Sequence, residues 1–219
     1  MKIYKYLHSC LVFELDGYKI LFDPGNFTFA EGFVKPEDFA DVQSIVITHV
    51  HPDHYYPENI KKILAINPVP VYANDEVSKA LTAEGINHRV WQDGVHYLGP
   101  FKLQAITAAH ELILNNPLPL MTAFIINDKV LHPVDSMDDA LLKYAGMKLL
   151  IMVSMAPFAS EPRIAAFADK LSPQQILPVH DGYAKDFFVE QRYAAYKKHF
   201  EKAGTTFHNA LFPGYAVTI

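Results

Sequence analysis

His49-Val50-His51-Pro52-Asp53-His54 places four metal-donor side chains within six residues. Imidazole nitrogen and carboxylate oxygen suit divalent zinc, with manganese or iron as alternatives. In a loop after a strand, alternate residues can face one ion while the Asp-His pair reaches a second. Two ions need one further His each and, preferably, a carboxylate between them. His110, His180 and Asp135 are available for those roles. A lone histidine is more often a surface, core or capping group, and by themselves His110 and His180 would carry little weight. A chance match to the six-residue motif in a chain of this size is rare, on the order of one in a thousand from residue frequencies. The motif therefore reads as a metal centre.

Donors spread over 130 residues can meet only if secondary structure carries them to one place. Cys10–Leu15 and Tyr18–Phe22 flank Asp16-Gly17, a favoured two-residue turn, and predict a β-hairpin. Asp23-Pro24-Gly25 closes its second strand. Residues 26–42 are irregular and Phe-rich, and are expected to be a loop or lid. Ile45–Thr48 is a short buried strand that delivers the His-rich motif at its C-terminal end. Helices are expected over Pro57–Ile66 and from Asn74 or Asp75 to Glu84, where Gly85 stops the second. Val69–Tyr72 is the strand between them.

The second half predicts strands near His88–Trp91, Val95–Leu98 and Phe101–Ala108, with His110 just after the last. Residues 112–120 form an apolar, Pro-interrupted loop. Met121–Asn127 and Lys129–Pro133 predict a hairpin turning at Asn127-Asp128. A short helix near 138–145, strand Lys148–Ser154, a helix near 161–171 and strand Gln175–Val179 follow, and His180 ends that strand. A long helix over 185–203 and a strand near 214–219 complete the chain. Every donor group thus follows a predicted strand, so loops at one sheet edge can converge on one site. Alternating strands and helices predict an α/β layered fold.

The 219 residues suit a single domain, 1–219, with a sizeable core. Half the residues are hydrophobic and 20% are charged, an ordinary globular balance that argues against disorder. The formal net charge is −5, and only three of the 19 basic residues are Arg: Arg89, Arg163 and Arg192. No basic run offers a surface for a nucleic-acid backbone. The single cysteine, Cys10, excludes an internal disulfide and a Cys-rich zinc cluster. Met1–Tyr6 lacks the apolar run of a signal peptide, and no stretch is apolar enough to span a membrane. The expectation is a cytoplasmic protein with a small-molecule substrate.

On these residues the chain resembles the metallo-β-lactamase-fold superfamily. The resemblance runs from Asp23, in Leu21-Phe22-Asp23-Pro24-Gly25, through the His49–His54 motif to His110, Asp135 and His180. Within that superfamily it is most similar to the small UlaG-like hydrolases, related to ascorbate 6-phosphate lactonase. His8-Ser9-Cys10 and His132-Pro133-Val134-Asp135 carry this narrower likeness. Pro133 and Val134 stand where that family usually has small residues, often Ala-Gly. The resemblance implies an αββα sandwich with the site at one edge. It implies that His49, His51 and His110 bind one metal and that Asp53, His54 and His180 bind the other, with Asp135 between them. Asp23 resembles an acid that orients a ligand through a hydrogen bond; the plainer reading is a turn-forming Asp.

The expected chemistry is hydrolysis by a hydroxide bridged between two metal ions, attacking a carbonyl carbon or a phosphorus atom. Asp53 is expected to bind metal and accept or relay a proton, and His132 is the second proton-transfer candidate. His8 and His132 each read equally as groups that line the pocket, donate a proton or contact a substrate anion, or as satisfied strand-end residues. His88, His96, His199 and His208 have no motif context and read as structural or surface groups. Asp181, beside His180, reads equally as a supporting acid or a surface loop residue. Phe27, Phe29 and Phe33 read as core rather than pocket wall. From the resemblance, the substrate class is a small ester, lactone or phosphorylated metabolite. A phosphodiesterase or RNase Z-like nuclease could use the same metals, but the low Arg count opposes it. A di-iron redox protein is opposed by His51, because flavodiiron-type sites commonly carry an acid there. A non-catalytic protein retaining the fold is opposed by the full ligand set.

Overall fold

Ser44–Ile47 and Leu149–Val153 are buried along their whole length. Such strands need a covering layer on each face. The computed structural model, which describes residues 1–219, provides those layers as two stacked seven-stranded sheets with helices outside. The first sheet contains β1 (Lys2–Lys5), β2 (Leu11–Leu15), β3 (Tyr18–Phe22), β4 (Ser44–Ile47), β5 (Val71–Ala73), β6 (His88–Val90) and β14 (Tyr215–Thr218), in the order β14-β1-β2-β3-β4-β5-β6. The second contains β7 (Gly94–Leu98), β8 (Phe101–Ala108), β9 (Met121–Ile126), β10 (Val130–His132), β11 (Leu149–Val153), β12 (Gln175–Val179) and β13 (Thr206–Phe207), in the order β13-β12-β11-β10-β9-β8-β7. The helices are α1 (Pro57–Ile66), α2 (Asp75–Ala83), α3 (Glu161–Leu171) and α4 (Asp186–Glu201). This is the expected αββα sandwich.

The two-residue period of a strand sorts side chains into three cores. Leu11 and Phe13 of β2, Ile20 and Phe22 of β3, and Phe124 and Ile126 of β9 meet between the sheets. Val12, Leu21, Ile45 and Ile47 face the other way, onto Ile60 and Ile63 of α1 and Val77 and Leu81 of α2. Leu150 and Met152 of β11 face Ile164 and Phe167 of α3 and Tyr193 and Tyr196 of α4.

Local chemistry sets the boundaries. Asp16 and Gly17 have φ of 50° and 79°, and Asn127 and Asp128 have 51° and 55°. Both pairs match the left-handed turns that suit the twist of a hairpin. Asn74 caps α2 by accepting the Val77 N–H at 3.1 Å, and Gly85 (φ 68°) follows its end.

Two strands go beyond the expected set. Strand β1 pairs with both β2 and β14, and so brings Lys2 beside Thr218. Strand β13 adds two residues at the far edge of the second sheet. Residues 26–42 contain two 3-10 turns, Asn26–Phe29 and Pro36–Phe39, and the short helix expected near 138–145 is the 3-10 segment Asp139–Tyr144. No helix is long and apolar enough to cross a membrane.

Phe124 joins the sheets, with its ring 5.4 Å from Phe22 and 5.6 Å from Trp91. Phe124→Ala should lower the unfolding free energy by about 3–5 kcal/mol, read from chemical denaturation.

Candidate metal centre

All the donors lie where strands end at one edge of the sandwich. The loop after β4 carries His49, His51, Asp53 and His54. His110 follows β8, Asp135 follows β10 and His180 follows β12, while His8 occupies the corner between β1 and β2. Hydrogen bonds tie these loops together. Asn26 N–H donates to the Pro52 carbonyl at 2.8 Å, and the Asn59 side chain donates to the Gly25 carbonyl at 2.6 Å. His180 N–H donates to the His8 carbonyl at 3.1 Å.

Gly25 is fixed here by space rather than by φ, which is −66°. A Cβ at this position would lie 2.0 Å from the Asp53 carbonyl oxygen. The Asp-Pro-Gly turn and the His-rich loop can therefore touch only through glycine.

Four histidines share one arrangement. His54 Nδ1–H donates to Asp23 Oδ2 at 2.8 Å, His110 Nδ1–H to the Glu111 carbonyl at 2.6 Å, and His180 Nδ1–H to the Met155 carbonyl at 2.6 Å. The Thr48 hydroxyl gives its proton to Asp23 Oδ2, so it can only accept from His49 Nδ1–H, which is 3.1 Å away. Each ring is thus anchored by Nδ1 and directs Nε2 inward, the tautomer a metal ligand needs. Asp23 accepts the Thr48 N–H as well and so orients two histidines at once.

His8 is arranged the opposite way. Its Nδ1 accepts the Gly182 N–H at 2.9 Å, so the ring proton sits on Nε2. That Nε2–H donates to Asp53 Oδ2 at 3.0 Å. Asp53 Oδ2 also receives the Tyr183 hydroxyl at 2.7 Å.

At the centre lies Asp135, 2% exposed. Its Oδ2 is 3.4 Å from Nε2 of His54 and 3.3 Å from Nε2 of both His110 and His180. His49 Nε2 is 3.8 Å away. The donors fall into two groups, His49-His51-His110-Asp135 and His8-Asp53-His54-His180, each with ligand atoms within 4.8 Å of one another. Nε2 of His54, His110 and His180 and Oδ1 of Asp135 are buried without a hydrogen-bond partner. Buried polar atoms are ordinarily paired, and four orphaned lone-pair atoms converging from separate loops fit divalent cations.

Without such ions, protons take their place. Burial opposes charge on His180, but Asp135 and Asp53 outweigh it and raise its pKa to about 9. His54 is likewise raised against burial by Asp135 and Asp53. Burial and the charge of nearby His54 hold His49 well below its ordinary value. Asp53 and Asp135 are lowered, because the surrounding histidines overcome the desolvation that opposes their charge.

Four residues of the site hold positive φ: His8 (58°), Asp23 (46°), Val134 (55°) and His180 (66°). For residues other than glycine this costs about 1–3 kcal/mol each. Val134 is the sharpest case, because its side chain is β-branched. It sits where the resembled family often has glycine. Burying its side chain in the outer core offsets strain of that size.

His132 does not join the donors. It is buried, its ring is 6.0 Å from Phe22, and neither ring nitrogen has a hydrogen-bond partner. Burial, reinforced by His54, lowers its pKa to about 3. Asp181 is not a surface acid: it is buried and bonded to Lys5 Nζ at 2.7 Å and to the Tyr193 hydroxyl. Phe27 belongs to the site rather than the general core, with its ring 4.7 Å from His8 and 5.1 Å from Tyr183. Phe29 packs on Phe39, and Phe33 is exposed. His88 and His96 bond to backbone carbonyls, while His199 and His208 bond to Asp169 and Gln175. Tyr183, Lys5 and Tyr193 were missed by the motif reading, since each is a common residue type with no telling spacing.

The chain belongs to the family described as Beta-lactamase superfamily domain, which residues 2–180 match. It is 25% identical over 189 residues to Protein Rv0786c of Mycobacterium tuberculosis, spanning 82% of this chain and 84% of that protein. Its fold is similar to that of Igni18, a metallo hydrolase from the archaeon Ignicoccus hospitalis, with a TM-score of 0.73 and 20% identity over 100% of this chain and 97% of that one. It is also similar to YhfI, a metallo-beta-lactamase fold protein from Bacillus subtilis, with a TM-score of 0.73 and 16% identity over 99% and 98% of the two chains. At these identities the structural likeness establishes the fold. Family, fold and the two donor groups together support a metal-dependent hydrolase.

Because metal and proton compete for Nε2 of His54 and His180, metal uptake near pH 7 should release protons and apparent affinity should fall with falling pH. The raised pKa values set this sign. Calorimetric titration in two buffers of different ionisation enthalpy measures the release, and identical heats in the two buffers would contradict it.

Proposed function

We propose that the protein is a dinuclear metal-dependent hydrolase, one domain over residues 1–219, that cleaves a small ester, lactone or phosphorylated metabolite. The observation that carries this reading is the shared carboxylate: Asp135 Oδ2 lies 3.3 to 3.4 Å from Nε2 of histidines belonging to both donor groups. In this reading His49, His51 and His110 hold one ion, Asp53, His54 and His180 hold the other, and Asp135 lies between them. The predominance of imidazole over carboxylate favours zinc. Two divalent ions so held supply Lewis acidity and a water-derived nucleophile near neutral pH.

The protein's own groups do the rest. Asp23 and the backbone carbonyls keep the histidine rings aimed inward. His8 and Tyr183 both donate to Asp53 Oδ2 and fix that carboxylate beside the reacting groups. Asp53 is then placed to accept a proton and relay it, and His132 makes no hydrogen bond to it. The narrower UlaG-like reading is supported by His8, which reaches the donor groups directly.

Asp53→Ala and Asp135→Ala should each abolish turnover and lower the metal content below two equivalents per chain. Metal analysis beside assays on ester, lactone and phosphomonoester panels tests this. Full turnover with stoichiometric metal in either variant would refute the assignment.

A further inference from the structure

Beyond the donors, the segment after β11 builds a second feature of the site. It doubles back at residues 156–159, where Ala156 and Ala159 form an antiparallel bridge. The turn sets Phe158 against the donors, with its ring 5.5 Å from His110 and 6.0 Å from His180. Met155, Ala156 and Ala159, with Ile164 of α3 and Phe188 of α4, wall a cavity of about 500 Å³. That size suits a small-molecule group.

Two residues of the cavity lining contact donor residues. Tyr183 lines the cavity, while its hydroxyl bonds to Asp53 Oδ2 at 2.7 Å. Met155 lines it too, while its carbonyl holds His180 Nδ1–H at 2.6 Å. Tyr183 and Met155 therefore stand between the cavity and the donors Asp53 and His180.

Its chemistry is apolar. The one cation in the lining, Arg192, is paired with Glu161 and lies over the Phe188 ring at 5.0 Å. The Ser154 hydroxyl is committed to the Val179 carbonyl at 2.7 Å. Arg192 shares the lining with the Glu161 carboxylate, which opposes a phosphate there. Phe188, by contrast, is 41% exposed at the cavity wall, an apolar surface that an apolar group would cover.

We propose that this cavity receives an apolar group of the substrate. Resting on the hydrolase reading above, this selects an ester or lactone bearing an apolar chain over a phosphorylated metabolite. Ala159→Phe should fill the cavity, and Phe188→Ala, on the partly exposed face of α4, should remove one wall with little risk to folding.

The test compares p-nitrophenyl acetate, hexanoate and octanoate on the metal-loaded protein, and binding of octanoate against acetate by calorimetry. The ratio of octanoyl to acetyl kcat/KM should be about tenfold or more, as expected from burying several methylenes, and should collapse toward one in Ala159→Phe and fall in Phe188→Ala. A flat series, or a ratio unmoved in both variants, would overturn the proposal. Should no ester turn over, these assays count against ester hydrolysis, and binding decides the cavity separately. Octanoate held about tenfold more tightly than acetate, and weakened in either variant, sustains it; equal binding of the two acids overturns it.

Discussion

The structure depends on one buried carboxylate. Asp135 is 2% exposed, and burial alone would make its charge very unfavourable. What makes the charge tolerable is positive charge close by, on His54 and His180 in the metal-free chain or on ions in the loaded one. The compensating groups come from loops after β4, β8 and β12, so the charged carboxylate can be buried only when both sheets are assembled. Folding and site formation are thereby the same event at this edge.

Holding those loops in register demands departures from easy backbone geometry. His8, Asp23, Val134 and His180 all sit in the left-handed region, and Gly25 is pressed against the Asp53 carbonyl. The sandwich sustains this because its three cores run up to the edge, with Val134, Val179 and Tyr55 buried beside the donors. A buried set of Lys5, Asp181 and Tyr193 then braces the strap that follows His180, tying it to β1 and α4. The strain lies where chemistry would be done, and the stabilising contacts lie behind it.

How much of this was legible depended on range. The His49–His54 motif could be read because its donors are neighbours in the chain. The hairpin at Asp16-Gly17 and the helix Pro57–Ile66 could be read because turn and cap signals are local. The order of the later donors was also legible, since each follows a strand with a clear pattern. Strands β1 and β13 were not, because two of the four residues of β1 are lysines and β13 has only two residues. Tyr183 escaped because its partner Asp53 is 130 residues away, and Lys5 because Asp181 is 176 residues away. His132 marks the limit of residue type as a signal: its place near Asp135 suggested proton transfer as readily as a structural role, and its ring lies 6.0 Å from Phe22 with neither nitrogen hydrogen-bonded.

The proposed dinuclear centre requires two ions, one on each side of Asp135, and none on His8. Anomalous diffraction from crystals of the zinc-loaded protein, recorded on both sides of the zinc absorption edge, tests it directly. Two peaks are expected, one beside His49, His51 and His110 and one beside Asp53, His54 and His180, with Asp135 reaching both and His8 Nε2 still on Asp53. A single peak, or a zinc ion bound by His8 in place of Asp135, would contradict it.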